Sequence, residues 1–233
     1  MKLYTKNLGM EVENGKLFLD GREIVASVRR LQDMEPVVYD REYYETADKE
    51  KVLYYMYRDL EPRFSPLGLR YDVTIIPPEK MGCELVKTAG HYHPLARNGK
   101  TYPEIYEVLE GDAHYLLQKK EEGRIVEVLL IKAEKGDRVI IPPNYGHVTI
   151  NPSENVLVMA NIVCRDFSSI YREYEEKHGA VYYELVGGRF VKNDNYEEDV
   201  ELIIKNAPKI GIGRDIHAQC INKPSDFEFL KNP

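Results

Sequence analysis

This sequence predicts a mainly β protein, a barrel or sandwich, on three features. Between residues 71 and 163 lie eight short runs rich in β-branched and aromatic residues: 71–76, 83–88, 104–109, 114–118, 125–131, 138–141, 147–150 and 156–163. Turn-forming groups separate them: Pro77-Pro78, Gly111-Asp112, Gly123, Gly136-Asp137, Pro142-Pro143-Asn144 and Asn151-Pro152-Ser153. No helix-length periodic stretch interrupts the series. Short strands at this spacing, punctuated by Gly, Pro, Asn and Asp, are the pattern of an all-β sandwich or barrel.

The flanks follow. Residues 40–57 mix apolar positions with many charges and are closed off by Pro62 and Pro66, which predicts a helix packed beside the barrel. Residues 168–178 read as a second helix, with Ser168 or Ser169 as N-cap and Gly179 as stop. Residues 180–186 read as a strand, 193–199 are polar, and from Pro224 a loosely held tail is expected. The segment before Asp40 is extended enough to pair across subunits by strand addition. The chain is thus expected to be one domain, with a core at about 71–163, an N-terminal extension over 1–70 and a helix with a C-terminal extension over 164–233.

Composition narrows the function classes. The chain has 233 residues, 43% hydrophobic and 30% charged, as ordinary globular proteins do. A net charge of -7 argues against sequence-independent binding to nucleic acid or anionic membrane, both of which need clustered Lys and Arg. Any anionic ligand must therefore be held locally. Cys83, Cys164 and Cys220 are odd in number and lack C-x-x-C spacing, so neither a disulfide framework nor a zinc knuckle is indicated. With no signal-peptide pattern and no membrane-length apolar run, a cytoplasmic location is expected. Eighteen tyrosines and no tryptophan allow a pocket lined by phenolic hydroxyls.

The chemistry lies in Gly90-His91-Tyr92-His93, Tyr102-Pro103-Glu104-Ile105-Tyr106 and Gly146-His147. In extended chain His91 and His93 face the same way, and so do Tyr102, Glu104 and Tyr106. An antiparallel barrel can bring His147 back to the same cavity. Three imidazoles and one carboxylate suit a divalent first-row metal and leave coordination positions open. Other candidates favour plain readings. His114 reads as structural or exposed, His178 as a charge at a helix end, and His217 has no spacing partner. Glu107 faces away from Glu104 on the same strand. Cys83 reads as a buried strand residue, and Gly211-Ile212-Gly213-Arg214 as a turn.

Glu104 ahead of Gly111, and Gly136 followed by Pro142, His147 and Asn151, form two motifs that resemble those of the cupin barrel, a double-stranded β-helix or jelly roll; here Gly146 directly precedes His147. Thr88-Ala89-Gly90-His91-Tyr92-His93-Pro94, with Tyr71-Asp72-Val73-Thr74-Ile75-Ile76-Pro77-Pro78 and the Tyr102 to Tyr106 segment, is similar to the archaeal cupin-type glucose-6-phosphate isomerases over about residues 55–171. That resemblance implies interconversion of glucose 6-phosphate and fructose 6-phosphate in sugar catabolism or gluconeogenesis. It also implies a cytosolic homodimer and one divalent metal per subunit, iron foremost, with manganese, nickel or zinc as alternatives. Its metal ligands fall on His91, His93, Glu104 and His147. Its phosphate contacts fall on Thr74, Thr88, Gly90, Tyr55 and Tyr171, and its aromatic sugar contacts on Tyr102 and Tyr106. Val163 and Ser169 stand where the family has a tyrosine and a histidine.

Aldose-ketose exchange can pass through an enediol, with Glu104 moving the proton, or by hydride shift beside a Lewis-acid metal; the enediol is the expected route. The rival readings are an iron-dependent dioxygenase and a metal-holding sugar-binding protein, since one barrel serves many functions. Thr and Tyr hydroxyls with backbone N–H groups can hold a phosphate without a basic patch; Lys87, Arg97 and Lys100 could add attraction, but each reads first as a solvated charge.

Overall fold

A computed structural model describes residues 8–13, 15–208 and 215–233, and in it the mainly β reading holds. Ten strands build two facing sheets: β1 (Ser27–Arg30), β2 (Val52–Tyr57), β3 (Leu69–Ile76), β4 (Glu104–Glu110), β5 (Asp112–Glu121), β6 (Arg124–Glu134), β7 (Arg138–Ile141), β8 (Tyr145–Ile150), β9 (Leu157–Cys164) and β10 (Leu202–Asn206). One sheet runs β7-β4-β9-β3-β2-β1 and the other β8-β5-β6-β10. Neighbours are antiparallel except β6 and β10. The chain changes sheet at β4/β5, β6/β7, β7/β8, β8/β9 and β9/β10, and the first four changes are the jelly-roll winding of a cupin barrel.

The larger sheet is buried on both faces, which β9 records directly, because all eight of its residues are buried. Leu157 and Met159 join the core between the sheets, whereas Val158, Ala160 and Ile162 join a second core on the outer face. Met10, Val12 and Leu17 of an N-terminal three-stranded sheet cover that outer face, together with Ile216, Cys220, Phe227 and Leu230 of the C-terminal segment. The stretch from Pro224 is therefore no loose tail. It forms a 3-10 helix, Pro224–Leu230, after the helix α3 (Ile216–Asn222), because Phe227 and Leu230, one turn apart, have a sheet to bury against. The segment before Asp40 is also taken up within the chain, through the N-terminal sheet and the β1–β2 pairing.

Other expectations give way. Only Arg41–Thr46 of residues 40–57 is helical (α1), capped by the Asp40 side chain, which accepts from Tyr43 N at 2.9 Å. Val52-Leu53-Tyr54-Tyr55-Met56-Tyr57 is instead β2, since β-branched and aromatic residues suit a pleated, half-buried surface. The second helix α2 is short, Arg172–Glu176, with Tyr171 rather than a serine at its N-cap; Ile170 is held extended by paired bonds with Tyr92. The chain leaves α2 through His178 (φ 59) and Gly179 (φ 129). Of 83–88 only Glu84–Leu85 is a strand, and Cys83 is exposed, its N–H donating to Asp40 Oδ2 at 2.9 Å. Residues 211–214 lie outside the described residues.

Candidate functional site

His91 and His93 enter the barrel on extended backbone. His91 exchanges backbone bonds with His147 (3.2 and 3.0 Å), and Tyr92 with Ile170 (3.0 and 2.8 Å). This anchoring turns both histidines toward one cavity and Tyr92 away from it into the core, where Gln118 Nε2 donates to its hydroxyl at 2.8 Å. Gly90 has φ +82, and a Cβ there would stand 2.5 Å from the Tyr174 ring. At Gly146 a Cβ would stand 2.7 Å from the Tyr92 ring, which accounts for a glycine directly before His147. Glu104 opens β4 and His147 lies on β8, so both sheets contribute.

The four side chains converge. His91 Nε2 is 3.2 Å from His93 Nε2, and Glu104 Oε2 is 3.4 Å from the Nε2 of both His93 and His147. The ligand atoms of His91, His93 and Glu104 all lie within 4.8 Å of one another. His93 Nδ1 donates to the Tyr102 carbonyl at 2.8 Å, which leaves its Nε2 lone pair facing the cluster. Asn161 Nδ2 donates to Glu104 Oε1 at 2.5 Å, while Oε2 is buried with no hydrogen-bond partner. Burial holds the imidazoles neutral, His93 at about 4 and His91 and His147 well below their ordinary value. Burial, with Asp72 adding to it, lifts Glu104 to about 8. Neutral imidazole lone pairs beside an unpartnered carboxylate oxygen form a donor set that fits a divalent cation, whose charge would stabilise the ionised carboxylate.

The cluster sits at the wall of a cavity that also receives Thr74, Thr88, Gly90, Tyr106, Ser169 and Tyr171. Tyr106 OH lies 3.1 Å from His147 Nε2. Thr88 Oγ1 accepts from Thr149 N at 2.9 Å, fixing its position. Glu107 does face away, accepting from the N–H groups of Asp215 and Ile216 at 2.8 and 2.7 Å. His114 pairs with Glu184 at 2.8 Å, and His217 Nε2 with Glu61 Oε2 at 2.6 Å, both remote from the cavity.

Two expected contacts lie elsewhere. Tyr55 packs toward the outer core, and Tyr54, one residue earlier, lines the cavity with Met56 and Arg58, as alternation along β2 requires. Tyr102 precedes the first residue of β4, so the strand alternation does not reach it. Its ring stacks on Phe167 at 5.0 Å, and Phe167 in turn packs on His93 at 4.6 Å. Val163 is buried opposite Glu104 in the sheet and does not line the cavity. Lys87 is no solvated charge: it is buried, paired with Glu84 and donating to the Val37 carbonyl at 2.8 Å. Sequence reasoning missed Tyr54, Arg58 and Arg70: period-2 counting from Thr74 reaches Arg70, but along 52–58 only the pairing with β3 decides which alternate set faces the cavity.

The glucose-6-phosphate isomerase (GPI) family profile matches residues 28–201. The glucose-6-phosphate isomerase of Thermococcus gammatolerans is 30% identical over 174 residues, 75% of this chain and 87% of that one. That of Pyrococcus abyssi is 30% identical over 75% of this chain and 88% of its own. That of Thermococcus litoralis is 31% identical over 72% and 85%. Among solved structures, oxalate decarboxylase of Lactobacillus farciminis is 16% identical, covering 51% of this chain and 31% of that one with a TM-score of 0.38.

Proposed function

The chain belongs to the glucose-6-phosphate isomerase family, and we propose that it interconverts glucose 6-phosphate and fructose 6-phosphate in the cavity between His147 and Thr74. The observation that carries this reading is the unpartnered Glu104 Oε2, facing imidazole nitrogens in the same cavity that presents Thr74, Thr88 and Gly90.

His91, His93, Glu104 and His147 would hold one divalent ion per subunit, iron foremost, with manganese, nickel or zinc also suited to the set. When bound, it supplies a Lewis acid for the sugar oxygens at the reacting carbons. The phosphate lies against the hydroxyls of Thr74, Thr88, Tyr54 and Tyr171 and the backbone at Gly90, hydrogen-bond donors that suit an anion. Tyr106, two residues from Glu104 on the same face of β4, contacts the sugar.

In the aldose-to-ketose direction the Glu104 carboxylate takes the C2 proton, breaking that C–H bond as the C1 carbonyl becomes an enol hydroxyl. It then returns the proton to C1 as the C2 oxygen becomes the carbonyl, and the hydroxyl proton passes from O2 to O1. Held through Oε1 by Asn161 and unpartnered at Oε2, the Glu104 carboxylate is positioned for this transfer. The route belongs to sugar catabolism or gluconeogenesis, in a cytoplasmic homodimer. Among the described residues no helix is long and apolar enough to cross a membrane.

The test is a coupled assay of fructose 6-phosphate to glucose 6-phosphate before EDTA, after it, and after single additions of Fe(II), Mn(II), Ni(II) or Zn(II). Turnover lost to the chelator and restored by one ion is the expected result; no turnover with any ion overturns the assignment. Run in D2O, deuterium on carbon in the product, gained by exchange on Glu104 between the two transfers, establishes the enediol route, since a hydride shift carries none.

A further inference from the structure

Arg70, Asp72 and Thr74 alternate along the inward face of β3 and so form a row on the cavity wall. Thr74 stands at one end and Arg70 at the other, about 13 Å apart at the rise of a strand. Arg58, directly after β2, meets this row from the neighbouring strand. Its Nη1 donates to Asp72 Oδ2 at 2.9 Å, and Arg70 Nε donates to the same oxygen at 2.8 Å. Asp72 is fully buried, and its Oδ1 accepts from Asp59 N at 2.9 Å. One saturated carboxylate therefore braces two guanidinium groups, and the trio carries a net single positive charge.

A guanidinium has five N–H donors. Beyond the bonds to Asp72, the only other hydrogen bond these two make among the described residues is from Arg58 Nη2 to Met56 Sδ at 3.5 Å. The side chains are 41% and 23% exposed, and both line the cavity. The donors not spent on Asp72 are therefore available to whatever the cavity holds.

We propose that Arg58 and Arg70 are specificity-determining residues for the reacting end of the sugar, holding the oxygens on C1 and C2 where negative charge develops. The assignment rests on the phosphate lying at Thr74 and Thr88, which leaves the arginine end of the row for the carbonyl end of an extended hexose phosphate. Charge-assisted donors preset in a partly enclosed cavity stabilise a developing oxyanion with little reorganisation.

Binding to the full-length protein, loaded with the ion that supports turnover, separates the possibilities. Two probes differ only at C1: glucitol 6-phosphate is neutral there and gluconate 6-phosphate carries a carboxylate. Arg70→Met and Arg58→Met are each expected to weaken gluconate 6-phosphate about tenfold or more, the loss of a charge-assisted hydrogen bond. Glucitol 6-phosphate is expected to stay within about twofold, and kcat for fructose 6-phosphate to fall more than KM rises. Arg70→Lys and Arg58→Lys, which keep a cation beside Asp72, give the same ranking in smaller measure and carry the test if the methionine variants do not fold. Equal weakening of both probes, or no change in either, overturns the inference. Thr88→Val is expected to weaken both probes alike. If it leaves both unchanged while the arginine variants weaken both, the phosphate sits at the arginines and the placement under the proposed function fails instead.

Discussion

Asn161 holds Glu104 by one carboxylate oxygen: Nδ2 donates to Oε1 at 2.5 Å, which turns Oε2 toward His93 and His147, each 3.4 Å away. The two residues sit on adjacent strands of one sheet, where Asn161 pairs with Tyr106 and Val163 with Glu104. Partners behind a ligand orient it, and their loss commonly reduces metal affinity by about 10- to 100-fold. Asn161→Leu is therefore expected to weaken Mn(II) binding in titration calorimetry by roughly that factor while the fold persists. Unchanged affinity would show that Glu104 is oriented without it.

Tyr54 and Tyr55 separate the two faces of β2. Tyr54 OH accepts from Ala89 N at 3.3 Å at the cavity wall, and Tyr55 packs toward the outer core. Tyr54→Phe is expected to raise KM for fructose 6-phosphate by about 2- to 10-fold, the worth of one hydrogen bond, whereas Tyr55→Phe leaves it unchanged. Steady-state kinetics of the two variants reads this directly, and the reverse pattern would put the phosphate contact back on Tyr55.

Gly90 is required by space as well as by backbone. A Cβ at φ +82 would lie 2.5 Å from the Tyr174 ring and 2.7 Å from Val148, both buried. Left-handed backbone and overpacking together predict that Gly90→Ala costs about 2–5 kcal/mol. Urea denaturation measures it, and a loss below about 0.5 kcal/mol, typical of surface changes, would refute the packing account.

The buried Glu61–His217 contact joins the C-terminal helix to the barrel. Hydrogen bonds from Arg63, and then from His217, hold the Glu61 carboxyl at about 2, below its ordinary 4.5. A carboxyl depressed on folding contributes stability that is fully present above 4.5 and is lost as pH falls through about 2. Between pH 6 and pH 3 the wild type should lose more stability than Glu61→Gln, as followed by urea midpoints at each pH. Parallel losses would mean that Glu61 does not carry the acid sensitivity.

The barrel strands from Tyr71 onward were legible because their period and turns are local properties of the chain. The region 40–57 was not. Charges scattered among its apolar residues imitate helix spacing, and only the neighbouring strands β1 and β3 recruit 52–57 into the sheet. The C-terminal segment was illegible for the same reason: its apolar residues are too sparse to announce a core, and they are buried only because the larger sheet has an outer face to cover.

The sequence by itself marked the four side chains that converge in the barrel: alternation puts His91 and His93 on one face, and likeness to the cupin motifs picks out Glu104 and His147. Likeness to a known family also pointed to Thr74, Thr88 and Tyr171, whose side chains line the cavity. Tertiary structure alone decided which tyrosine of Tyr54 and Tyr55 faces the cavity, because a shift of one residue along a strand reverses every side chain. It also brought Arg58 and Arg70 onto one buried carboxylate, a pairing between neighbouring strands that no local pattern encodes.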